Sequence, residues 1–145
     1  MARSLFADVS LIIMTADSTR FIDYSCWIIG GLIVLSAITK IQLLFDLFNF
    51  DSFLEKAIVI IHFLSAIIAA VGLYRLSTIG FIFAYVHIIV ATIFLSISIV
   101  PFLFNLLTLD HQGATTLLLI INISILLSTA FLHGLKRRRL KKVTS

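Results

Sequence analysis

The sequence predicts an all-α, polytopic membrane protein: a four-transmembrane-helix antiparallel bundle preceded by a short N-terminal amphipathic helix. Three observations carry that expectation. Of 145 residues, 61% are hydrophobic and only 12% are charged, whereas a soluble domain is roughly half apolar and about a quarter charged. Four apolar stretches, 24–44, 57–76, 79–103 and 114–135, each reach the roughly 20 residues needed to cross a hydrocarbon core of about 30 Å. The stretches lack period-two alternation, and lipid supplies no partner for an open sheet edge, so helices are expected and barrel strands are not.

The breaks between the stretches are short and hold much of the remaining charge. Asp46, Asp51, Glu55 and Lys56 lie in the first, Arg75, Ser77 and Thr78 in the second, and Asp110, His111, Gln112 and Gly113 in the third. Breaks this short make neighbouring helices antiparallel. Pro101, the only proline, lacks a backbone donor and is expected to kink or end the third helix, which is already long enough to span before it.

Residues 1–20 read as an interfacial segment. Leu5, Phe6, Val9, Ile12 and Ile13 recur at helical spacing opposite Ser4, Asp8 and Ser10, as in a helix lying in the headgroup plane or packed against the bundle. Asp8 interrupts the apolar run, which argues against a cleavable signal.

Net charge is +4, and six of the eleven basic residues, Lys136, Arg137, Arg138, Arg139, Lys141 and Lys142, fall in the last ten positions. A basic tail (137–145) beside an apolar domain (21–136) is a topology signal and a contact for anionic lipid headgroups; no nucleic-acid partner is expected. Placing the tail in the cytoplasm puts Arg3, Arg20 and Arg75 there as well, and leaves only Lys40 and Lys56 outside. Both termini are therefore expected in the cytoplasm, with the bacterial inner membrane as the default location.

Cys26 is the only cysteine. It rules out an internal disulfide and a cysteine-built metal site, and reads as a small buried hydrophobe. Tyr24 and Trp27 suit an aromatic belt, and Lys40 can snorkel to the headgroups or pair with Asp46.

Polar side chains inside a bilayer are costly and draw attention first. Six stand out: Lys40, His62, His87, Asn105, Asn122 and His133. His62 shares a helical face with Ser65, Ala66, Ala69 and Gly72, and His87 shares one with Gly80, Ala84 and Ala91. Small residues admit close helix approach, so both histidines should point inward and their faces should meet. Two inward histidines are the minimal axial ligand set for haem b. Counting about 1.5 Å per residue places them about 6 Å apart in depth, which counts against a shared iron unless tilt closes the gap. The plainer expectation is hydrogen bonding across helices. Asn122, Thr129 and His133 form one stripe of the fourth helix and carry the same expectation, while Asn105 and His111 lie near the outer surface.

No intramembrane carboxylate is present to support proton coupling, although Ser65, His87 and Asn122 could line a polar path. There is no nucleophile elbow, phosphate-cradling glycine loop or histidine pair at i and i+4, so no catalytic residue and no metal site are expected. The leading functional expectation is an accessory or scaffolding subunit of a membrane complex, partnered by other transmembrane subunits. The alternatives are a haem b electron-transfer subunit using His62 and His87, and a lipid or small-solute carrier or channel.

Overall fold

A computed structural model describes residues 2–100 and 111–143, with side chains described for 20–100 and 112–137. Among the described residues every regular element is helical. Helix α1 spans Ala2–Ile38, α2 Gln42–Phe45 (followed by a 3-10 turn Asp46–Asn49), α3 Phe53–Tyr74, α4 Thr78–Ile89 and α5 His111–Val143. Three segments are long and apolar enough to cross a membrane: Arg20–Ile38, Phe53–Tyr74 and Gln112–Arg137.

The N-terminal segment, expected as a separate short helix, instead runs without a break into the first span. No proline or glycine lies between Ala2 and Ile29 to interrupt it. The first span closes earlier than expected, at Ile38 and not near residue 44. Ser36 Oγ donates to Ile33 O at 2.8 Å and Thr39 Oγ1 to Ser36 O at 2.8 Å; such back-bonding competes with the helical ladder and bends it.

Helices α3 and α4 form the tightest pair, and α3 packs on its other side against α1. Ser52 caps α3 by accepting from Leu54 N at 3.2 Å. At its other end, Ser77 N–H closes onto Gly72 O at 2.7 Å and Leu76 N–H onto Leu73 O at 3.0 Å. These are the two bonds of a Schellman stop, with Leu76 at φ 52° where glycine is usual. Leu76 packs against the main core, which offsets that strain. Ser77 Oγ then accepts from Gly80 N at 3.0 Å and starts α4. Gly72 and Gly80 meet backbone to backbone, and a Cβ on either would overlap the other's main chain.

The third expected span is not one continuous helix. After Ile89 the chain passes through a π turn, Val90–Phe94, and leaves helical geometry. Ser96 adopts φ 49°, and Ile97 N–H reaches back to Ala91 O at 2.7 Å. The physical cause is local. Ile88, Ile89, Val90, Thr92 and Ile93 are β-branched, Ser96 and Ser98 favour non-helical hydrogen bonding, and Pro101 biases Val100 toward extended backbone. Pro101 itself, the site of the expected kink, lies outside the described residues.

The main core gathers Ile22, Cys26, Ile29 and Ile33 of α1 with Ala66, Ala69 and Leu73 of α3, Phe81 and Ala84 of α4, and Leu132 of α5. A second cluster packs Ile88 and Ala91 against Ile97 and Ile99 of the non-helical segment. At one end of the bundle Trp27 stacks on Tyr74, centroids 5.3 Å apart, with Tyr24 edge-on to Trp27 at 5.9 Å.

Candidate functional site

The deepest polar cluster lies where α1, α3 and α4 meet. His62 and His87 are both fully buried, as are Ser36 and Ser65. The two imidazoles stack, with centroids 4.5 Å apart and planes 24° from parallel. The depth difference expected from counting residues is thus closed by packing, and the small faces of α3 and α4 do meet.

Proton positions follow from the partners. His87 Nδ1 lies 3.1 Å from the His62 carbonyl oxygen, which only accepts, so Nδ1 carries the hydrogen. In the neutral ring Nε2 is then an acceptor, and Ser36 Oγ at 3.0 Å donates to it. The Ser36 hydroxyl has one proton and divides it between Nε2 and Ile33 O. Ser65 Oγ donates to His62 O at 2.9 Å and stands 3.5 Å from His87 Nδ1. His62 is the opposite case: neither ring nitrogen has a hydrogen-bond partner, and its ring stacks on His87 and stands at 83° to Phe63.

This arrangement does not fit haem. Two axial imidazoles address an iron from opposite sides, with the macrocycle between them. Here the rings lie face to face, and both nitrogens of His87 are engaged by the protein. Nor do any three His, Cys, Asp or Glu residues gather to hold a metal ion among the described residues.

A second buried site joins α5 to the unwound segment. Asn122 is fully buried. Its Nδ2 donates to Thr92 Oγ1 and to Ile97 O, both at 2.9 Å, and its Oδ1 accepts from Ile99 N at 3.0 Å. Ser98 Oγ accepts from Val100 N at 3.2 Å. One side-chain amide therefore pairs two of the backbone groups, Ile97 O and Ile99 N, that lie outside the helical ladder. Irregular backbone in an apolar segment persists where protein supplies such partners.

The remaining expected residues divide. Thr129 is fully buried, yet its hydroxyl donates within its own helix to Ile125 O at 2.7 Å. His133 Nδ1 lies 3.0 Å from Tyr85 Oη, and its ring stacks on Phe81 at 4.7 Å. Lys136 Nζ stands 5.7 Å over the other interaction partner of that stack, the Phe81 ring. Lys40 is exposed. Asn105 lies outside the described residues, as do the side chains of His111, Arg138, Arg139, Lys141 and Lys142.

Sequence reading missed Ser36, Thr92 and Tyr85. Ser36 was legible in principle, four residues beyond Leu32 on a face that also holds Ile29 and Ile33, and Thr92 five residues past His87. Tyr85 carried no pattern that separates it from the aromatic belt. No family model, curated protein or solved structure matches the chain.

Proposed function

We propose that this chain is a small multi-pass subunit of a larger membrane complex, holding its shape through internal polar contacts and offering α5 to partner helices. The observation that carries the proposal is how little of α5 its own chain covers. Only 17% of its most apolar window is buried, against 39% for α1 and 33% for α3. At about 100° per residue, positions 119, 123, 130 and 134 fall within roughly one sixth of the α5 circumference. They are Leu119, Ile123, Ala130 and Gly134, all exposed, and a Cβ added at Gly134 would meet nothing. Small residues on an outward face suit close approach by another transmembrane helix.

In this reading the segment Thr78–Phe94, 17 residues long, makes the fourth crossing. At about 1.5 Å per residue it covers about 25 Å, and the non-helical segment stapled by Asn122 completes the passage. The basic end faces the cytoplasm, both termini lie there, and the tail contacts anionic headgroups. The bacterial inner membrane remains the proposed location.

Extraction into polymer-bounded native discs, followed by native mass spectrometry, tests the proposal. Assemblies containing further transmembrane proteins are expected, and Gly134→Leu is expected to weaken them without unfolding the chain. A lone monomer carrying only lipid overturns it.

A second reading, a carrier or channel for an uncharged solute, draws on one observation: unwound backbone beside buried Thr92 and Asn122, the type of feature that marks transporter binding sites. Solute flux into proteoliposomes, abolished by Asn122→Leu, is the result that would favour it over the subunit role.

A further inference from the structure

Among the described residues, a groove on the outer surface lies below the basic end of the chain. It runs between α1 and α5, has a volume of about 490 Å³, and is walled by Phe21, Ser25 and Ile28 on one side and Leu127, Ser128 and Phe131 on the other. Its floor is Ile29 and Leu132, both buried in the main core. The walls project outward: Phe21, Ile28, Leu127 and Phe131 are each 60% exposed or more. From Phe21 to Ile29 the groove extends about 12 Å along the helix axis at 1.5 Å per residue, close to the depth of one leaflet, about half of a 30 Å core.

The end of the groove at Phe21 and Leu132 is the end at which positive charge collects. Arg20 is adjacent to Phe21 and exposed. On α5, the register that places Ser128 and Phe131 along the groove continues at spacings of three and four through positions 135, 138, 139 and 142. The helical backbone extends that far, to Val143, and the last three of those positions are Arg138, Arg139 and Lys142. The corresponding register on α1 reaches one carboxylate, Asp17. Along these two registers the sequence holds three cations against one anion, and Arg20 beside Phe21 adds a fourth cation.

We propose that this groove is a binding site for one anionic phospholipid of the leaflet facing the basic tail. An acyl chain lies between α1 and α5 along Phe21, Ile28 and Phe131, and the phosphate is held at the tail. The apolar walls select a chain over water, and the charge excess selects an anionic headgroup over a zwitterionic one. The inference rests on the reading of the tail as a lipid contact, and it does not depend on the chain belonging to a complex.

The test uses the full chain in lipid nanodiscs with phosphatidylglycerol or phosphatidylcholine, each carrying a photoactivatable acyl chain. Labelling by phosphatidylglycerol is expected to concentrate in residues 21–29 and 127–132, and to exceed that by phosphatidylcholine. Neutralising Arg138, Arg139 and Lys142 to Gln is expected to lower the anionic preference by about fivefold per residue. Ser128→Phe, which fills the groove, is expected to reduce labelling there by either lipid. If the wild type shows no anionic preference, the lipid reading of the tail fails and the site fails with it. If the preference is present and lost on neutralisation while labelling spreads evenly over all helices, the tail reading stands and the groove is overturned. Labelling of a co-purifying protein in place of residues 21–29 and 127–132 also overturns the groove, as the occupant would then be a protein. The neutralised positions all follow Arg137, where the span ends, so the outcome does not depend on Ser128→Phe folding.

Discussion

The two central histidines look alike in the sequence and behave differently in the fold. His87 engages both ring nitrogens, whereas His62 engages neither and contributes through its faces. Replacing His87 by Phe removes its bonds to the Ser36 hydroxyl and the His62 carbonyl, which keep Ile33 O and Ser65 Oγ as partners, and is expected to cost about 1–2 kcal/mol, the upper range for interhelical hydrogen bonds in membranes. Replacing His62 by Phe retains an aromatic face of similar size and removes two buried polar atoms that lack partners, so its cost is expected to stay below about 1 kcal/mol. Unfolding of the two variants in mixed micelles checks the difference; equal losses would contradict it. Asn122 makes a sharper case, because its amide serves three partners at once. Asn122→Leu is expected to destabilise the chain by about 1–3 kcal/mol, and amide exchange at Ile99, whose donor it frees, is expected to rise.

At the scale of elements, the α3–α4 hairpin depends on two glycines in backbone contact. Gly72→Ala or Gly80→Ala forces the helices apart where neither side can yield, since the opposing atoms are main chain. A loss of about 3 kcal/mol or more is expected, at the severe end of overpacking. Gly31→Ala is the control: nothing lies within 4 Å of its added Cβ, and a change within about 1 kcal/mol is expected. Thermal unfolding of the three variants in one detergent decides it. The interruption of α4 belongs to this scale too. Its β-branched run and serines lower helix propensity, and the Asn122 amide stabilises the alternative by pairing two of the freed backbone groups, Ile97 O and Ile99 N.

For the whole molecule, orientation is the property with the clearest test. In a Cys26→Ser background, Ala2→Cys and Ser145→Cys are expected to react with a membrane-impermeant thiol reagent only after the cytoplasmic face is opened, and Asp51→Cys from the outside of intact cells. Labelling of the two termini from opposite sides would remove the even number of crossings on which the topology rests. The aromatic contacts at the Trp27 and Tyr74 end and the basic residues Arg20, Arg75 and Arg137 give one end the composition of a membrane interface.

Composition and the length of apolar runs were enough to establish from sequence that the chain is helical and suited to lipid, because hydrocarbon leaves the backbone little choice but to bond to itself. Helical periodicity also placed His62 and His87 inward, since the small residues on their faces mark where helices approach. What periodicity does not contain is rotation and level between helices, so the stacking of the two rings, the reach of Ser36 from α1 and the unequal partners of the histidines came only from packing. The end of the third expected span was hidden for a related reason. An apolar run reads the same whether its backbone is coiled or unwound, and two of the backbone groups in the unwound part are paired by Asn122, more than twenty residues away in the chain.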